Sequence, residues 1–207
     1  MDQDTLFSDS MRALVRIAAA VAGAPIAFTR RVMVEAIDIA PMVAVDEVLL
    51  QSYLFAGFPR ALNATRVWRE VSGEHAPSDD PATTSQDPVE LRHKGEEACR
   101  AVYGHKYDAL RQTVSRLHPA LDAWMIADGY GKVLSRPGLA LAQRELCIVA
   151  ACAASEQMPQ LKSHLRGALN CGATLEDLAQ TLSALTDIVP REALGAAREE
   201  LNRIKES

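Results

Sequence analysis

Aromatic residues make up only 5% of this 207-residue chain, while 48% of it is hydrophobic, much of that alanine and leucine. A β-built core draws on aromatic and β-branched side chains, so this balance argues against sheets and for helices. The chain also lacks a basic run, and its net charge is −5. It therefore has no phosphate-neutralising stripe, and no nucleic-acid partner is expected. No long apolar run is present either: the stretch from Ile17 to Phe28 is interrupted by Gly23 and Pro25. That excludes a membrane span, and the acidic start MDQD lacks the positive segment of a secretory leader. Four cysteines, Cys99, Cys147, Cys152 and Cys171, are too few to form a disulfide framework in a chain of this size. A reducing, cytoplasmic compartment is the expectation.

Other absences narrow the chemistry. His75, His93, His105 and His118 fall in polar segments without metal-ligand spacing, so no metal site is assigned. The GYGK at Gly129–Lys132 is too short for a phosphate loop and follows no strand, so no nucleotide cofactor is implied.

What is present is a succession of helical segments with clear punctuation. Ser72–Pro88 (SGEHAPSDDPATTSQDP) is polar, holds three prolines and shows no apolar period, which marks a linker. It separates an N-terminal unit, residues 1–71, from a larger C-terminal unit, residues 89–207. In the first unit a long helical stretch is broken at Gly57 and Pro59; in the second, Gly104 and Pro119 mark a stop and a start. Helices are then expected over Arg144–Ala154 and Pro159–Asn170, with Gly172 as a stop and Thr174 and Asp177 as a capping signal for the next. One ungapped offset pairs Arg12, Leu14, Ala18, Ala19 and Ala22 with Arg144, Leu146, Ala150, Ala151 and Ala154. An offset one residue shorter pairs Asp46 with Asp177 and Pro59-Arg60 with Pro190-Arg191. The order of helix, turn, helix, capped helix and proline break repeats, so the chain reads as an internal duplication.

Within RELCIVAACAASEQMPQLKSH, Arg144–His164, the two cysteines attract attention first. Five residues along a helix rise about 7.5 Å and turn about 140°, so Cys147 and Cys152 cannot bridge while the helix is intact. They read as small core residues. The ends of the stretch are more informative. Glu145 opens one helix and His164 lies in the next, so antiparallel packing brings them together. A carboxylate that orients an imidazole is a common way to build a proton-transfer site near neutral pH. Arg144 and Arg166 flank the two and are candidates to grip a substrate carboxylate.

Tyr130–Leu178, with its SRPGL, REL, HLRGALN and GAT elements, resembles the carboxymuconolactone decarboxylase family, and the preceding RHKGEEACRAVYG resembles that family's N-terminal helix. The resemblance implies an all-α, alkylhydroperoxidase D-like fold and oligomers built from trimers or hexamers. It also implies one of two activities. One is cofactor-free decarboxylation of a carboxylated lactone, a carboxy-lyase reaction of aromatic catabolism. The other is thiol peroxidase chemistry, which needs a CxxC three residues before the histidine; Gln157 and Gln160 stand there instead. The family's glutamate and histidine positions match Glu145 and His164.

In the first unit Ala13 and Val32 occupy the corresponding places, whereas LFAGFPRALNA at Leu54–Ala64 keeps an aromatic element that the second unit has lost. The halves are thus expected to pack as a pseudo-dimer with one kind of site, the second supplying Glu145 and His164 and the first a wall of Tyr53, Phe55 or Phe58. Trimers of such chains would resemble a family hexamer. The expected partner is a small carboxylated molecule. A hydroperoxide-reducing enzyme and a non-catalytic small-molecule binder are the alternatives.

Overall fold

The structure, a computed structural model, describes residues 5–83 and 87–206. The acidic start Met1–Asp4 and residues 84–86 of the linker lie outside the described residues. The described residues are helical, with no strand among them. In order they form α1 (Asp9–Gly23), α2 (Ile26–Ala36), α3 (Met42–Ala56), α4 (Phe58–Ser72), α5 (Pro88–Tyr103), α6 (Tyr107–Leu117), α7 (Pro119–Trp124), a π-helical segment (Met125–Leu134), α8 (Leu141–Ala154), α9 (Met158–Asn170), α10 (Leu175–Ser183) and α11 (Arg191–Lys205).

The helix boundaries follow the local chemistry. Gly57 ends α3 and opens α4 at φ 82°, a backbone conformation that an L side chain adopts only with strain. Gly104 stops α5, and Pro119 opens α7 with the His118 side chain accepting from the Ala120 amide. Thr174 and Asp177 close a reciprocal capping box on α10: Asp177 N–H donates to Thr174 Oγ1 at 3.0 Å, and Thr174 N–H donates to the Asp177 carboxylate at 2.8 Å. Asp177 also accepts from Thr5 Oγ1 at 2.7 Å and from the Phe7 amide at 3.0 Å, which docks the start of the described chain onto α10.

α8 is the central element: every residue from Arg144 to Ala153 is buried, as a helix surrounded by others requires. α1 lies along it and is buried without a break from Ile17 to Ala22. Their alanine-rich faces allow a close approach, and at the end of α1 a Cβ on Gly23 would run into the Ala154 carbonyl. The two halves consequently share one hydrophobic core. The pairings α1 with α2, α3 with α4, α1 with α3 and α2 with α4 recur as α8 with α9, α10 with α11, α8 with α10 and α9 with α11. Outside this scheme, α5 packs against the π-helical segment backbone to backbone; a Cβ on Gly95 would strike the Ile126 carbonyl, and one on Gly131 the Leu91 carbonyl.

A buried ionic cluster joins the halves. Arg144 is wholly inaccessible, and one of its Nη atoms donates to Glu47 of α3 at 2.7 Å. Its Nε donates to the Leu139 carbonyl at 3.2 Å and the other Nη to Gln51 Oε1 at 3.3 Å. Arg136 in turn grips Glu47 and reaches Asp80 of the linker at 2.7 Å, so this part of the linker is fastened to the core. Removing one partner of a buried pair strands the other charge, whereas surface pairs contribute little. Glu47→Ala should therefore cost about 3–5 kcal/mol in urea unfolding. Breaking the exposed Arg30–Glu70 pair by Glu70→Ala should cost less than about 1 kcal/mol. Equal costs would show that the cluster does not hold the halves together.

Candidate active site

The turn between α8 and α9 folds the two helices against each other and brings Glu145 to His164. His164 Nδ1 lies 2.8 Å from Glu145 Oε2, and both side chains are buried. A carboxylate at Nδ1 holds the hydrogen on that nitrogen, leaving Nε2 to exchange a proton with whatever faces it. Nε2 makes no hydrogen bond among the described residues, and the side chain keeps 7% of its surface accessible. Glu145 itself has no accessible surface, and its second oxygen, Oε1, is buried without a hydrogen-bond partner among the described residues. An orphaned carboxylate oxygen in such a place costs free energy, the kind of local cost that proteins accept at sites of chemistry.

Room for this carboxylate depends on a missing side chain. Gly167 sits nearly one turn beyond His164 on α9, and a Cβ there would approach both Glu145 Oε2 and Val102 Cγ1 to 2.6 Å. Glycine is unfavourable in a helix interior, so its presence here reflects the space Glu145 needs.

Two rings stand edge-on to the imidazole. Phe55 of α3 lies 5.8 Å from it between centroids, and Tyr103 at the end of α5 lies 6.4 Å away. Phe55 comes from the N-terminal part of the chain, before the linker. Tyr53 and Phe58 lie further out and stack on each other at 4.8 Å, with Phe58 exposed. Tyr103 and its neighbour Tyr130, on the π-helical segment, have no counterpart in the sequence reading. Burial pushes the Tyr103 hydroxyl up to about 12, with the Glu145 charge adding to the effect, so it stays protonated at neutral pH. The only local hint of this role was an aromatic at the end of the helix before Gly104.

The two arginines part company. Arg144, expected as a substrate contact, is sealed in the core and committed to Glu47, Gln51 and three backbone carbonyls, those of Leu139, Arg136 and Pro137. It is a tie between the halves and presents nothing to a ligand. Arg166 instead lines a recess of about 380 Å³ together with Tyr103. The thiols are held in their protonated form. Burial pushes Cys99, Cys152 and Cys171 up to about 12 and Cys147 higher still, with the Glu145 charge reinforcing the effect at Cys99, Cys152 and Cys171. Gln157 and Gln160, where redox thiols would stand, are exposed.

A helical protein with a buried carboxylate–imidazole pair between two adjacent helices is the class defined so far. Residues 119–200 match the model of the Carboxymuconolactone decarboxylase family. The match spans α7, the π-helical segment, α8 to α10 and most of α11, and so contains both Glu145 and His164, while the N-terminal part, α5 and α6 lie outside it. The chain is also similar to Peroxisomal protein 2 of Schizosaccharomyces pombe, with 28% identity over 145 residues, covering 69% of this chain and 67% of that protein.

Gly167→Ala separates the roles of helix propensity and site geometry. Propensity alone predicts a gain of up to about 1 kcal/mol. Displacement of Glu145 and Val102 predicts a net loss of about 1–3 kcal/mol, read as a lowered melting temperature. A raised melting temperature would mean that the carboxylate has room to spare. The thiols make a second prediction: in the native protein at pH 8, iodoacetamide should leave Cys99, Cys147 and Cys152 unmodified over hours and label them only after unfolding. Their thiols are neutral until the pH approaches the raised folded values, far above the assay pH.

Proposed function

We propose that the chain is a cofactor-free enzyme that transfers a proton at His164 on a small carboxylated lactone or related acid, as a carboxy-lyase. The observation that carries this reading is the 2.8 Å contact between His164 Nδ1 and the fully buried Glu145. The family match over residues 119–200 supports the chemistry.

In the proposed step, the bond from the substrate carbon to its carboxylate breaks and carbon dioxide leaves. The electron pair flows into the conjugated lactone carbonyl, forming an enolate. His164, charged beforehand by a proton from solvent, then gives that proton to carbon from Nε2 and is left neutral, while Glu145 stabilises the imidazolium before transfer and holds the ring in register. Phe55 and Tyr103 exclude water from the imidazole, which strengthens both interactions. Arg166 is the proposed carboxylate contact, since Arg144 is occupied. We further propose that such chains, each carrying a diverged duplicate as a built-in pseudo-dimer, assemble as trimers.

Thiol peroxidase chemistry is the second reading of the same fold. It is weakened by the glutamines at 157 and 160 and by thiols held protonated. Turnover of a panel of carboxylated lactones, followed by ultraviolet absorbance, tests the first reading against organic hydroperoxide reduction. His164→Gln should lower lactone turnover by at least about 100-fold with unchanged far-ultraviolet circular dichroism, the scale of a lost general acid–base group. Full turnover by that variant would remove His164 from the chemistry. Peroxide reduction abolished by Cys147→Ser with Cys152→Ser would favour the second reading.

A further inference from the structure

We propose that the recess at the ends of α5 and α9 is a binding site for a small organic dianion, gripped by Arg166 on one side and by Lys106 and His105 on the other, with Tyr103 passing its occupancy to His164. For its catalytic meaning this rests on the proton-transfer reading of His164; the binding itself does not.

The recess encloses about 380 Å³, within the range of small-ligand sites and roomier than a lone inorganic anion needs. Its polar walls are His105, Lys106, Ser163, Arg166 and Asn170, with no carboxylate among them. In a chain of net charge −5, where most arginines near the core already face an acid, an acid-free wall carrying two cations and an imidazole is a local inversion of sign. Arg166, Lys106 and His105 form no ion pair and donate no hydrogen bond among the described residues.

Cations near helix C-termini often serve only to offset the negative end of the helix dipole. Here the terminal carbonyls are met by other donors. The Asn170 amide donates to the Val102 carbonyl at 2.7 Å, the Cys171 amide to Gly167 at 3.0 Å, the Gly172 amide to Leu169 at 3.1 Å and the Gly104 amide to Arg100. The three basic side chains are thus left for a ligand. The Asn170 bond also ties α9 to α5, so the two sides that carry the basic groups are held at a fixed separation. A guanidinium on one side and an ammonium on the other suit two carboxylates joined by a short carbon chain. Tyr103 both lines the recess and packs its ring on His164, so a bound ligand touches the residue that walls the imidazole.

The test titrates the full-length protein with glutarate and follows the imidazole C–H signals of His105 and His164 by proton–carbon NMR. Saturable shifts at both are expected, with affinity falling as salt is raised. The combined Lys106→Gln, Arg166→Gln variant, changed only outside the core, should bind at least tenfold more weakly. Tyr103→Leu should keep the His105 shift and lose the one at His164. His164→Gln should keep the His105 shift even where turnover is gone, so a failure of the recess and a failure of the proton-transfer reading give different results. Shifts undiminished in the combined variant, or inorganic phosphate binding as tightly as glutarate, would overturn the proposal.

Discussion

The buried pair of Arg144 and Glu47 is the constraint on which the rest of the molecule depends. Removing a guanidinium and a carboxylate from water is expensive, and such a pair is tolerated only when nearly every donor is used. Here it is: Glu47, Gln51 and three backbone carbonyls surround the guanidinium. The partners come from both halves of the chain and from the loop that leads into α8. The pair therefore fixes where α8 begins, and the next residue along is Glu145. Because neighbouring residues on a helix point about 100° apart, locking Arg144 toward α3 sends Glu145 toward α9. The position of the Glu145–His164 pair follows from a separate ion pair one residue away on the same helix.

The N-terminal part of the chain shows the same kinds of helix pairing with different side chains: Ala13 and Val32 stand where the sequence offset would put Glu145 and His164. It contributes instead the partner for Arg144 and the Phe55 ring beside His164. The part that carries Glu145 and His164 relies on the other for an ionic tie and an apolar wall.

Much of this was legible in local sequence. Helix ends announced themselves through Gly57, Gly104, Pro119 and the Thr174–Asp177 box, because turn and cap chemistry acts over a few residues. The meeting of Glu145 and His164 followed from two helices joined by a short turn. Arg144 was misjudged for a physical reason: it stands beside a site residue and carries a charge suited to substrate carboxylates, and its burial is decided by Glu47, 97 residues away in the chain. Tyr103 was missed for the same kind of reason. Its place beside His164 depends on α5 seating against the π-helical segment through Gly95 and Gly131, and neither glycine signals locally what it packs against.

The chemistry left to the site follows from what burial does to each group near Glu145. Thiols and phenols lose their charged forms in a desolvated setting, so Cys99, Cys152, Tyr103 and Tyr130 are all driven toward neutrality. A thiolate there would have to form against both burial and the Glu145 charge, and the polar contact that the surroundings hold in place is the one between Glu145 and His164.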